Sequence, residues 1–375
     1  SHTPALGDID GDGVAEIVTV RVQGSTAYLA AYENDGQLAW QSPAPVSGNG
    51  LVSLADIDAD GDVEIIKGTT VWDHQGNLEW EVSSTTIYST ATTAADLDGD
   101  GMMEIIHPHM ILRYDGSPYA TLTPGGGFSP GDLAVGDVNN DGEPEVVVVH
   151  GNSMHIFDHL GGAIALNVPV GSSISGESTP PAIHDIDGDD QPELLFGLTS
   201  QQSGGMYVAV RPDGQVTWEA PVLDSSGAAS GTAFDFLGDS TAEGLYGDEG
   251  HLWGFNADGS VVLQMERKSP TQVEYPIVAD VDNDGSAEIL VVSGNIGSYG
   301  PNDDSGYPTL QVFKDMEERW VQARRIWNQH TYHVTNVRED GTIPQNEPKN
   351  WELLNTFRTN AQISADGGIC DPPVD

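Results

Sequence analysis

Residues 96–104 read Asp96-Leu97-Asp98-Gly99-Asp100-Gly101-Met102-Met103-Glu104. Carboxylates stand at positions 1, 3, 5 and 9 of this stretch, and glycine stands at position 6. Carboxylates this dense repel one another unless a positive charge sits between them. The alternate spacing turns them toward one concave side, and the glycine permits the sharp turn that closes a loop on a cation. The donors are all oxygen, with no Cys or His, which points to a hard cation and away from zinc and copper. A loop of many carboxylates gives the high, irregular coordination that favours calcium over magnesium. An EF-hand opens the same way but needs a bidentate Glu at position 12. Here position 12 is His107, and the β-branched Ile105-Ile106 follows the loop in place of a helix.

Six further copies begin at Asp8, Asp56, Asp137, Asp185, Asp235 and Asp280, so successive loops lie 48, 40, 41, 48, 50 and 45 residues apart. The full pattern recurs as Asp8, Asp10, Asp12 and Glu16, as Asp56, Asp58, Asp60 and Glu64, and as Asp280, Asp282, Asp284 and Glu288. The Asp137 copy carries Asn139 at position 3, still an oxygen donor, with Asp141 and Glu145. The Asp185 copy, with Asp187, Asp189 and Glu193, has Asp190 in place of glycine, and Asp tolerates the left-handed backbone. The Asp235 copy has Leu237 at position 3 and Ser240 at position 6, so it is expected to bind weakly or to stay empty. About six calcium sites are therefore expected, with the position-7 backbone carbonyl as a further ligand. A single such loop reads equally well as an acidic turn. Seven in register, holding 29 of the 58 acidic residues in about a sixth of the chain, argue for a repeated metal loop.

The elements that must present these loops follow the same period. A short apolar lead-in precedes each loop, and a β-branched run follows, such as Glu145-Val146-Val147-Val148-Val149. An alternating segment comes next, for example Met206-Tyr207-Val208-Ala209-Val210. Then a turn signal (Asp35-Gly36, Gln75-Gly76, Asp115-Gly116, Asp213-Gly214, Asp258-Gly259) reverses the chain into a last segment that often carries Trp, as at Trp40, Trp80 and Trp218. Four short antiparallel strands, A to D, per repeat of 40–50 residues make a propeller blade. The expected fold is all-β, a seven-bladed β-propeller over 1–326, with blades near 1–45, 46–85, 86–128, 129–172, 173–224, 225–270 and 271–326. The run 316–327 takes the place of strand D in blade seven or forms a short helix. Residues 327–375 form a C-terminal extension of different composition, expected to pack on the propeller or its rim. Seven of the 13 basic residues lie between Lys314 and Arg358.

The formal net charge of −45 disfavours nucleic acid and anionic membrane as partners. Disorder, the ordinary meaning of strong acidity, is countered by 38% hydrophobic residues and by the fixed spacing of the acids. The lone Cys370 forms no disulfide within the chain, and no run of about 18 apolar residues offers a membrane span. The chain opens inside a repeat, at Ser1-His2-Thr3-Pro4, as a processed or excised piece would.

The Asp-x-Asp-x-Asp-Gly-x-x-Glu loop and its period resemble the FG-GAP (VCBS-type) propeller, the module of integrin α-subunit heads and many bacterial secreted proteins. The resemblance covers about 1–326; family sites often end in Asp, whereas position 9 here is Glu throughout. It implies structural calcium in the A–B loops on one face and partner binding at the other. The tail segments 325–336 and 355–360 are similar to a stretch found after such repeats in large bacterial surface proteins.

Outside the loops, Trp327, His330, Tyr332 and His333 offer a sugar or metal pocket or, more simply, packing groups. His107 with His109, and His150 with His155, read as ordinary strand and turn residues. Gly171-Ser172-Ser173-Ile174-Ser175-Gly176 has the wrong spacing for a nucleophile elbow, and no phosphate-cradling glycine loop occurs. The insertion 293–308, with Tyr299 and Tyr307, is expected on the face opposite the acidic loops and available to a ligand. The expected function is a calcium-stabilised, secreted or cell-surface binding or adhesion module for carbohydrate or protein, part of a larger multidomain chain. The alternatives are a calcium-dependent polysaccharide lyase or glycosidase, or a structural spacer. A lyase needs cationic help for a substrate carboxylate, yet Arg21, Lys67, Arg113 and Arg211 are the only basic residues before 260.

Overall fold

The computed structural model describes residues 3–46, 51–83, 91–122, 131–200, 204–294 and 309–363. Within them the chain is a seven-bladed β-propeller. Blade one runs Ala5–Gly7, Glu16–Gln23, Thr26–Tyr32 and Leu38–Gln41, hydrogen-bonded in that order, all antiparallel. The other blades repeat the order with two departures. In blade five strand A is broken at Pro180-Pro181 into Glu177–Ser178 and Ala182–His184, both paired with Glu193–Ser200. Proline has no N–H for the ladder, so the break falls where the sequence puts it. Blade seven has three strands among the described residues: Ile277–Ala279, Glu288–Val292 and Leu310–Phe313.

The run 316–327 is neither strand D nor a helix. Its apolar residues have a different destination. Ala323, Val321 and Trp320 pack into the core between blades six and seven, with the Trp320 ring 4.6 Å from Phe236. The insertion 295–308, with Tyr299 and Tyr307, lies outside the described residues.

Cores lie between blades. The B strands carry apolar side chains on both faces, and Ile65 and Ile66, or Val147 and Val148, are buried in the cores on either side of their blade. Continuous β-branched runs therefore mark a sheet covered on both faces. The turn signal and the strand-D tryptophan, separate features in the sequence, form one contact. A β-carbon on Gly76 would lie 2.5 Å from the Trp40 ring of the preceding blade; Gly116 and Gly259 stand likewise against Trp80 and Trp218, at 2.9 and 2.8 Å. The glycine thus serves its positive φ and also admits the neighbouring ring. Gly36 of blade one has open space, because blade seven supplies no strand D among the described residues.

The tail does not lie at the rim. It runs through the central channel against the A strands and completes one circuit of the ring. Leu6 N of blade one donates to Asn328 O at 2.8 Å, and Leu54 N of blade two donates to Gln329 Oε1 at 2.7 Å. Trp351, on the single helical turn Asn350–Leu353, enters the core between blades three and four. Asn355 brackets Asp137 of blade four, accepting from its N–H and donating to its carbonyl at 2.8 and 2.7 Å. Phe357 exchanges both backbone bonds with Ile183 of blade five. Thr232 of blade six donates to Arg358 O, and Asn360 Nδ2 donates to Val278 O of blade seven. The end then pairs with the beginning: Arg324 N donates to Ala361 O, and Ile363 N to Gln322 O. Arg324, fully buried, donates to Tyr332 Oη, to the carbonyls of Val334 and Val337, and to Glu339.

Two outcomes test this architecture. Ending the chain at Ile326 removes Tyr332, Trp351 and Phe357 from the centre, each a loss of about 3–5 kcal/mol, and cooperative melting is expected to disappear in calorimetry. Gly36→Ala is expected to cost only the left-handed backbone, about 1 kcal/mol. Gly259→Ala adds the collision with Trp218, a further ~1–3 kcal/mol by denaturant titration.

Candidate metal centres

Each A–B loop is built by its own carboxylates. The position-1 Asp accepts from the position-6 N–H in all seven copies, from Gly13→Asp8 at 3.0 Å to Gly285→Asp280 at 3.1 Å. The position-5 Asp accepts from the position-7 N–H in all seven. The position-9 Glu, first residue of strand B, reaches back to the position-2 N–H in all seven, as Glu16 Oε2 does to Ile9 at 3.0 Å. Carboxylates so placed satisfy donors that the tight turn would leave unpaired.

The backbone explains two loop positions. Position 6 is left-handed everywhere, including Asp190 at φ 66° and Ser240 at φ 70°. Position 4 is left-handed as well, at Gly11, Ala59, Gly99, Asn140, Gly188, Gly238 and Asn283. Its run of Gly and Asn was the available signal, and sequence reasoning passed over it.

Position 3 has no part in this skeleton. At Asp10, Asp98 and Asp282 one oxygen takes a long bond from the position-5 N–H, 3.2–3.3 Å. Asp58 Oδ1 and Asp187 Oδ1 are buried without a partner. In five copies the carboxylates at positions 1, 3 and 9 converge, with one oxygen from each within 4.8 Å of the others: Asp8, Asp10 and Glu16; Asp56, Asp58 and Glu64; Asp96, Asp98 and Glu104; Asp185, Asp187 and Glu193; Asp280, Asp282 and Glu288. The position-5 carboxylates Asp12, Asp60, Asp100, Asp189 and Asp284 are not part of these triads and cap the turn instead. In blade four, Asn139 Nδ2 donates to Glu145 Oε1 at 2.8 Å, beside Asp137 and Asp141. In blade six, Leu237 is exposed, and the same skeleton stands without a position-3 oxygen.

The converged charges are unfavourable as they stand. Burial, reinforced by the neighbouring aspartates, pushes Glu16 and Glu104 up to about 7 against the backbone bonds that oppose it. Glu145 and Glu193 are likewise pushed to about 7 and Glu64 to about 9, while Glu243 and Glu288 shift upward. Glu16 Oε1 and Glu288 Oε1, on side chains only 1% exposed, have no hydrogen-bond partner. An all-oxygen donor set with orphaned buried carboxylate oxygens fits a hard divalent cation.

His330, Tyr332 and His333 are buried inside the channel, with Trp327 stacked on Tyr332 at 4.6 Å and His333 paired to Glu347 at 2.6 Å. They pack and hydrogen-bond there and present no open pocket at the rim.

A family model described as an FG-GAP-like repeat matches residues 3–66 and 137–196. Those two segments are FG-GAP-like repeats, and the fold that carries them is the seven-bladed propeller described above. None of the curated proteins matches the chain. Among solved structures the chain is similar to the V. cholerae biofilm matrix protein Bap1, at 18% identity and a TM-score of 0.72, over 95% of this chain and 84% of that one. It is also similar to a Bacillus licheniformis rhamnogalacturonan lyase, at 15% identity and a TM-score of 0.53, over 93% of this chain and 77% of that one. A second rhamnogalacturonan lyase, YesW, matches at 15% identity and a TM-score of 0.51, over 86% and 66%. At these identities the likeness is one of fold.

The division of labour within a loop predicts opposite results in chelator. Asp56→Ala removes a buried carboxylate that accepts from Asp60 N and Gly61 N and is expected to lose about 2–3 kcal/mol. Asp58→Ala removes a carboxylate that has one buried oxygen without a partner and is repelled by Asp60 and Asp62, and it is expected to leave the melting temperature in EDTA unchanged or raised.

Proposed function

We propose that the chain is a calcium-stabilised, secreted or cell-surface binding or adhesion module, and that it recognises carbohydrate or protein through the face opposite the acidic loops. The observation that carries the calcium reading is the convergence of positions 1, 3 and 9 with buried, unpartnered oxygens in several copies. In this reading calcium is held at five such triads and, with Asn139 turned oxygen-inward, at Asp137 and Glu145. The Asp235 loop keeps the skeleton and, with Leu237 at position 3, binds weakly or not at all.

The choice of face rests on what occupies each end of the ring. At the loop end, Asp8 N donates to Gly341 O, Gln345 Nε2 to Ala59 O and Gln362 Nε2 to Asp235 O, so the tail lines the inner edge, beside a cleft of about 620 Å³ bordered by Asp185, Asp235, Ser240, Gln322 and Gln362. The opposite end carries a cleft of about 380 Å³, lined by Leu223, Glu249, His251, Arg267 and Lys268 among others. Mixed charged groups beside apolar ones suit the hydroxyl-rich surface of a sugar or the polar rim of a protein. Arg267 there is buried and pairs with Glu274 through Nη2 at 2.7 Å, while its Nε and Nη1 have no hydrogen-bond partner. The lyase reading stands second because only four basic residues precede position 260. The kinship of fold with a biofilm matrix protein and with rhamnogalacturonan lyases is compatible with either. No helix among the described residues is long and apolar enough to cross a membrane.

Calcium is expected to raise the melting temperature and EDTA to lower it; an unchanged melt in chelator sinks the calcium reading. A glycan array with and without calcium is expected to show retention of a sugar class. Release of unsaturated product from an acidic polysaccharide would establish the lyase instead.

A further inference from the structure

The residue that ends strand C and opens the C–D turn lies directly across from the position-9 Glu in every blade. The register Ile17↔Tyr32 sets Glu16 opposite Glu33, and Ile65↔Trp72 sets Glu64 opposite Asp73. Ile105↔Leu112 sets Glu104 opposite Arg113, and Val146↔Phe157 sets Glu145 opposite Asp158. Leu194↔Val210, Gly244↔Phe255 and Ile289↔Phe313 set Glu193 opposite Arg211, Glu243 opposite Asn256 and Glu288 opposite Lys314. Opposed cross-strand side chains are within contact distance, so this one position decides whether a loop receives a built-in positive charge.

In three blades it does. Arg211 Nη2 lies 3.1 Å from Asp187 Oδ2 and 2.6 Å from Asp189 Oδ2, and its Nε lies 3.3 Å from Glu193 Oε1. Lys314 Nζ lies 2.9 Å from Asp284 and 3.4 Å from Asp282. Arg113 Nη1 lies 3.5 Å from Asp98 and 3.8 Å from Glu104. Two of the only four basic residues before position 260 occupy this place in the repeat. Blades four and six lower the loop charge another way, with Asn139 and Leu237 at position 3. Blades one and two do neither: all four loop carboxylates are present, and Glu33 and Asp73 add a further acid opposite. Buried oxygens without a hydrogen-bond partner occur in both groups, Glu16 Oε1 and Asp58 Oδ1 in blades one and two and Asp187 Oδ1 and Glu288 Oε1 in blades five and seven, so the two groups differ in the neighbouring cation and not in the orphaned oxygens.

We propose that Arg113, Arg211 and Lys314 are tethered counter-cations that stand in for the divalent ion, so that the ring holds two classes of acidic loop. Blades one and two depend on a metal from solution; blades three, five and seven carry their own charge and bind metal only in competition with it. Arg211, touching three carboxylates, is the strongest competitor, and Arg113 the weakest. The inference rests on the calcium reading and adds to it which loops require the ion.

The test is calcium binding to the full chain by isothermal titration calorimetry after chelator treatment, counted as tight equivalents, with the melting temperature recorded in EDTA and in calcium. Arg211→Gln is expected to gain one tight equivalent over the natural chain, to melt lower in EDTA and to recover in calcium. Glu33→Arg, which brings a cation to blade one and keeps the backbone bonds that Glu33 makes in the turn, is expected to lose one equivalent and to melt higher in EDTA. An equivalent count unchanged by both substitutions overturns the tethered-cation proposal while leaving the calcium reading intact. A natural chain that takes up no calcium at all overturns both.

Discussion

Like charge crowded at one end of a ring is the constraint on which this molecule turns. The formal net charge is −45, and half of the acidic residues fall in the seven A–B loops. The loops nonetheless need those acids. Three carboxylates in each copy close the turn on backbone N–H groups, and replacing them with side chains that cannot accept would leave those donors to water or, at position 2, buried and unpaired. The acceptors at positions 1, 5 and 9 are therefore part of the loop itself. Only position 3 is free of that duty, and it is the position where Asn139 and Leu237 appear.

The tail answers a second demand at the same place. A propeller closes only if its last blade meets its first, and here no core made of sheet residues alone joins blades seven and one among the described residues. The tail supplies the joint: Trp327 packs into the blade-one core and against Tyr275 ahead of blade seven, at 5.6 Å between rings. The tail's described residues then bond to blades two, four, five, six and seven in turn, enter the core between blades three and four through Trp351, and return to pair with its own start. A circuit of this kind makes the closure cooperative, because opening any seam requires the tail to leave several blades at once. It also brings basic residues to the acidic end; Lys349 Nζ stands 3.6 Å from where a side chain on Gly99 would begin.

What could be read in the sequence was what repeats locally. The loops, the β-branched B strands and the Gly turns each signal within ten residues and recur seven times, so the blade count and the A–B placement of the acids were legible. Relations between blades were not. Trp40 against Gly76 needs the neighbouring blade in place, and Arg211 against Glu193 needs the B–C register. The run 316–327 carried the composition of a strand or a helix, yet its apolar groups belong to a core 80 residues earlier in the chain, at Phe234 and Phe236. His330, Tyr332 and His333 read more simply as packing groups, which they are, but nothing local says that they pack inside a channel and not at the rim. Position 4 of the loop failed for another reason: Ala59 at φ 58° stands in a left-handed place that Gly and Asn hold elsewhere, and one Ala among seven blurs the signal.

The seven loops are best understood as seven solutions to one electrostatic problem under a fixed backbone. The hydrogen-bond skeleton is the same in all of them, and among their differences those at position 3 and at the residue across strand C change the charge beside the position-9 Glu. Divergence of that kind under a fixed skeleton fits a local requirement of charge balance. A catalytic centre would show the reverse, one copy elaborated and the others free to drift. The skeleton shared by the seven loops is therefore an argument for a repeated structural part, in keeping with the proposal that a partner is met at the other face.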